Sequence, residues 1–204
     1  MSITFPLLAG MAGGAAGWFV SWIVDRTTLD RERNTKRLES ILSTAASAAL
    51  LAALAVRFKE PGIRLFVYGG LVLALVGVTL FDIRTQIIPH AVTIPGTIFG
   101  LIGGSFVLPS GIRESILGLV IGGGVLLAAT LVETIRKKEI GGGDWKYAAM
   151  IGSFVGQRIV MALVFTGIFG VVGAIVLAIS GNRARPRALG PWLSAGAIAS
   201  ILLG

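Results

Sequence analysis

Long apolar runs broken by short polar segments organise the whole chain. Stretches near 3–24, 39–57, 63–81, 91–108, 114–133, 144–160, 161–180 and 189–204 are dominated by aliphatic residues, alanine and glycine. A helix needs about 20 such residues to cross some 30 Å of hydrocarbon. The pattern predicts an all-α polytopic membrane protein with about eight transmembrane helices. The sixth and seventh runs are joined by almost nothing, with Gln157 and Arg158 marking the turn. The last run is short enough to be partly re-entrant. Gly10, Gly13, Gly14 and Gly17 punctuate the first run at spacings that allow close helix packing. That run has no basic stretch before it, so it reads as a retained span rather than a cleaved signal. The one long polar segment, 25–38, reads as a helix extension or an ordered loop.

Composition sharpens this picture. Only 14% of residues are charged, against roughly 25% in soluble domains. Mean hydropathy is +0.87, which leaves no room for a separate soluble domain. The chain, 1–204, therefore reads as one integral-membrane domain in a lipid bilayer. The net charge of +8 raises the question of nucleic acid. The basic residues, however, punctuate the apolar runs and form no stripe on a soluble face, so no nucleic acid is expected. They follow the positive-inside rule instead. Segments 25–38, 134–146 and 181–188, with Arg84, hold most of the 18 lysines and arginines. That side is expected to be cytoplasmic, with both termini outside.

Candidate chemistry is narrow. There is no cysteine and one histidine, His90. Disulfides, thiol nucleophiles and Cys-rich zinc sites are excluded, and no metal or cofactor site is expected. No Gly-x-Ser-x-Gly elbow exists to partner His90. Carboxylates remain. Asp82 ends the apolar run Leu71–Phe81, and Asp144 directly precedes another. A carboxylate near the bilayer interior is expensive, roughly 2.5–3.5 kcal/mol at a helix centre, and so is a functional candidate. Both fall on the expected cytoplasmic side. Two carboxylates sharing one proton can activate a water with one member and polarise a carbonyl with the other. Such a pair titrates as a unit.

The surroundings of each aspartate are specific. The first lies in Asp82-Ile83-Arg84-Thr85-Gln86-Ile87-Ile88-Pro89, the second in Gly141-Gly142-Gly143-Asp144-Trp145-Lys146. The three glycines allow backbone angles closed to other residues and close approach by an extended substrate. Lys146 either orients substrate or tunes Asp144, or it anchors its helix at the interface. Arg84 reads as such an anchor, and His90 as interfacial. Glu39 and Glu133 read as span-end groups that snorkel or pair with nearby bases. Salt bridges from Asp82 to Arg84 and from Asp144 to Lys146 are the bland alternative, and they leave the shared context unexplained.

With these motifs the chain resembles the prepilin peptidases, the type IV leader peptidases among Gly-x-Gly-Asp intramembrane aspartyl proteases. Asp82 to Ile88-Pro89 is similar to the family's Asp-x-x-x-x-x-Ile-Pro. Gly141-Gly142-Gly143-Asp144-Trp145-Lys146 is similar to its Gly-x-Gly-Asp-x-Lys. Ala148 to Gly152, Gly156, Gly190-Pro191-Trp192-Leu193, Gly196 and Arg37-Leu38-Glu39 extend the resemblance over most of the chain. It implies the eight-helix fold of these proteases, with the site near the cytoplasmic face of a bacterial inner membrane. It also implies Asp82 and Asp144 as the catalytic pair, with Gly141, Gly142, Gly143, Lys146 and Pro89 shaping the substrate loop. The implied activity is removal of a short basic leader from type IV prepilins or pseudopilins, after a glycine.

Departures from the family are informative. Many bacterial members carry a Cys-x-x-Cys zinc insertion after the first span and methylate the new N-terminus with S-adenosylmethionine. Here the corresponding segment is only 25–38 and has no cysteine, so methylation is not expected. His90 stands where the family often has aspartate, and Lys138 where it often has glutamate, with Glu139 next to it. Two other readings stay open: a presenilin-like or signal-peptide-peptidase-like protease, and a proton- or cation-coupled carrier.

Overall fold

The computed structural model describes residues 4–28, 33–135, 142–179 and 188–204. Among these residues the structure is helical throughout: α1 (Thr4–Thr27), α2 (Arg33–Phe58), α3 (Ile63–Thr85), α4 (His90–Val107), α5 (Ile112–Ile135), α6 (Asp144–Val155), α7 (Ile159–Ile179) and α8 (Gly190–Leu203). Each apolar run of the sequence has become one helix. Six stretches are long and apolar enough to cross a membrane, with Asp144–Ile179 counted as one. Large apolar side chains face outward, among them Leu7, Phe66, Phe106 and Ile179, the last 81% exposed. A surface like this belongs in lipid, because water would not tolerate so extensive an apolar patch. The protein is a polytopic membrane protein.

Two helices fall short of a full span. The 12 residues of α6 reach only about 18 Å, and the 14 of α8 about 21 Å. The α6 helix stops because Gly156 takes a left-handed φ of +61°, open to glycine at little cost. A single 3-10 turn, Gly156–Arg158, then leads straight into α7. That is the turn the sequence places at Gln157 and Arg158.

The chain divides into two compact units, Met1–Thr85 and Gln86–Gly204. In the first, α1, α2 and α3 pack together. The glycines of α1 have the use their spacing suggests: a Cβ on Gly13 would lie 2.7 Å from the carbonyl oxygen of Ser47. The Ser21 and Ser43 hydroxyls bond to one another between α1 and α2. Of segment 25–38, α1 takes residues through Thr27 and α2 begins at Arg33, as the helix-extension reading expects; 29–32 lie outside the described residues.

In the second unit α6 is wrapped by α4, α5 and α8. Every residue from Tyr147 to Val155 is buried. Small residues make this possible. Gly118 and Gly122 of α5 lie against the backbone of Gly152 and Ala148. Gly96 and Gly100 of α4 lie against Met150, Ser153 and Phe154. A helix this enclosed can carry polar groups without exposing them to lipid.

Candidate active site

Asp82 sits near the C-terminal end of α3 and is only 3% exposed. The helix continues to Thr85, whose hydroxyl donates to the Phe81 carbonyl at 2.9 Å. It is then stopped by Gln86 at a φ of +55°. A side chain in that left-handed region costs roughly 1–2 kcal/mol, which marks a forced reversal of the backbone. The boundary between the two units falls at this residue. The first aspartate motif is therefore divided, with Asp82 in the first unit and Ile88-Pro89 in the second.

The neighbouring Arg84 departs from its expected place at the interface. Its side chain is 3% exposed. Nε donates to Glu39 Oε2 at 2.7 Å. Nη1 donates to Asp25 Oδ1 at 2.6 Å and to Thr28 Oγ1 at 3.1 Å. One guanidinium thus ties the end of α3 to the end of α1 and the start of α2. Its rigid fork suits this role better than an ammonium would. The expectation that Glu39 pairs with a nearby base is met.

In the second unit Asp144 is the first residue of α6. A carboxylate there faces unsatisfied N–H groups and the positive end of the helix dipole, which favour negative charge. Gly143 caps the helix with ordinary angles, φ −84° and ψ −33°, and its carbonyl accepts the Tyr147 N–H at 3.0 Å. Unusual backbone angles therefore do not explain glycine at 143. Close approach does, because a Cβ there would sit 2.9 Å from the Cβ of Ile88. The Ile-Pro end of the first motif is seated on the glycine of the second. Pro89 then caps α4, its carbonyl accepting from Val92 and Thr93 at 3.1 and 3.2 Å. Gly142 is exposed, and Gly141 lies outside the described residues, as do 136–140 and 180–187 with their basic residues.

Lys146 and His90 meet across the same place. Lys146 Nζ is 3.4 Å from His90 Nε2 and 5.4 Å from the centroid of the Trp145 ring. An ammonium has only donors, so the ring nitrogen accepts. One turn into α6, Tyr147 is fully buried and its hydroxyl lies 2.6 Å from Ser194 Oγ of α8. Ser194 gives its own proton to the Gly190 carbonyl at 2.9 Å, so the phenol is the donor. Tyr147, Ser194 and Asp25 escape a reading of the sequence. Their only signal is a hydroxyl inside an apolar run or a lone charge at its end.

The model of the type IV leader peptidase family matches residues 65–178, a segment that contains Asp82 and Asp144. A prepilin leader peptidase/N-methyltransferase of Neisseria gonorrhoeae is 35% identical over 133 residues, 62% of this chain and 45% of that protein. The chain thus spans about half the length of the curated relative it matches. No solved structure matches.

Proposed function

This chain belongs to the type IV leader peptidase family, and from that premise we propose that it is an inner-membrane aspartyl endopeptidase. It removes the basic leader from type IV prepilins or pseudopilins. Asp82 and Asp144 hold the hydrolytic water between them. One carboxylate takes the water's proton, and the other, protonated, donates to the scissile carbonyl as the tetrahedral centre forms. Gly141, Gly142 and Gly143 leave room for an extended peptide to lie along the loop backbone. Lys146 and Pro89 help to shape that loop. The site works near the cytoplasmic face.

The observation that carries the reading is the seating of Ile88 on Gly143, immediately beside Asp144. It supports reading Ile88-Pro89 and the glycine loop as one construction beside Asp144. Placement at helix ends also favours a protease over a carrier, whose ion sites belong near the midplane. The short segment 25–38 and the absence of cysteine support a peptidase that does not methylate its product.

The test is leader removal from a purified prepilin by the protein in detergent or lipid, followed by mass spectrometry. Asp82→Asn and Asp144→Asn are each expected to lower cleavage by roughly 10²–10⁴-fold or more while still inserting. The product is expected to gain no methyl mass when S-adenosylmethionine is supplied. Retained cleavage in either variant overturns the assignment of the pair.

A further inference from the structure

Thr93 carries a hydroxyl that its own helix does not use. Elsewhere in these helices threonine hydroxyls donate to a carbonyl four residues back, as at Thr28, Thr44, Thr85, Thr97, Thr130 and Thr166. This back-bond is how threonine is normally satisfied inside an apolar segment. Thr93 is 1% exposed and its Oγ1 has no partner. The reason is local. The carbonyl four residues back belongs to Pro89, the cap of α4, and it already accepts from the N–H groups of Val92 and Thr93. Both of its lone pairs are taken.

The position of this hydroxyl matters as much as its surroundings. Thr93 lies on the stripe of α4, with Gly96 and Gly100, that meets α6. His90 is level with Lys146 and Gly96 with Met150, so the two helices run side by side in one direction. Thr93 is therefore level with Ala148, one turn along α6 from Asp144. A buried unpaired hydroxyl is destabilising, and one turn from a candidate site it is available to a partner that arrives with the substrate.

Resting on the peptidase reading, we propose that Thr93 is a substrate-binding residue whose hydroxyl bonds a backbone amide of the extended peptide one helical turn from Asp144. It offers one donor and two acceptors, which suits either edge of a peptide unit. A neutral amide is the fitting ligand, since a charged group would require a stronger counterpart at so buried a position.

The experiment compares Thr93→Val and Thr93→Ser with the unaltered protein in prepilin cleavage and in thermal unfolding in detergent. Valine keeps the shape and removes the hydroxyl, while serine keeps the hydroxyl. The expected result is opposite signs in the valine variant: equal or higher melting temperature, with kcat/KM lowered about tenfold or more. Serine is expected to restore most of the activity. Ser47→Ala serves as the control, since Ser47 Oγ is also buried and unpaired but lies in the α1–α2 seam. It is expected to leave cleavage unchanged. Equal kcat/KM for the valine variant and the unaltered protein overturns the role of Thr93 and leaves the peptidase reading standing. No cleavage by the unaltered protein overturns the peptidase reading and this role with it.

Discussion

Replacing Arg84 by alanine strands the carboxylates of Asp25 and Glu39 without their shared cation. Breaking a buried pair in this way costs about 3–5 kcal/mol. Asp25 is 31% exposed and Glu39 16%, so solvent screens part of the loss, and about 2–3 kcal/mol is expected. The check is thermal unfolding in detergent. Arg84→Lys is expected to recover only part, because an ammonium cannot reproduce the fork. A melting temperature unchanged in the alanine variant would refute the clamp. Residues differ in how far the sequence betrays them. Asp82 and Asp144 stand out as candidates because a carboxylate in an apolar setting is costly enough to need a reason. Arg84 is misread as an interfacial anchor because its partners lie on two other helices, and hydropathy along one run carries no information about them. Thr93 is illegible for a related cause. Its hydroxyl is set apart only by a cap whose geometry makes a carbonyl unavailable.

Among the elements, the α5–α6 seam shows how packing without a hydrophobic driving force is achieved. Between lipid-bathed helices, association rests on close van der Waals approach, which small residues permit. Gly152 and Gly118 are each placed where a Cβ on one would run into the backbone of the other. Neither position has a flexible side-chain end that could yield. Gly152→Ala is therefore expected to destabilise by about 1–3 kcal/mol and to lower cleavage as α6 is pushed away from α5. Gly124, with open space around it, is the matched control, and its alanine variant should be silent in the same unfolding assay. The existence and order of the helices are legible, since run length and hydrophobicity dictate them. Their ends are less so. The sixth run reads as 144–160, yet α6 stops at Val155. A glycine that packs and a glycine that turns look identical in sequence, and only the φ of Gly156 separates them.

At the scale of the molecule, the packing of α6 against α8 matters most. The helix that begins with Asp144 is enclosed on its flanks and is fastened to α8 through Tyr147 and Ser194. A chain stopped before Leu189 lacks that fastening. It is expected to insert but to cleave at a rate indistinguishable from the Asp144→Asn variant, as measured by translation into membranes with a prepilin present. Full activity in the shortened chain would show that α8 is dispensable.

This enclosure has a consequence for the order in which the protein is made. The ribosome releases α6 before α8, so the aspartate helix spends part of synthesis without the neighbour that holds it. During that interval the bond between Tyr147 and Ser194 has yet to form. Because α8 is made after α6 and supplies Ser194, the surroundings of the helix that begins at Asp144 are completed only when α8 has packed.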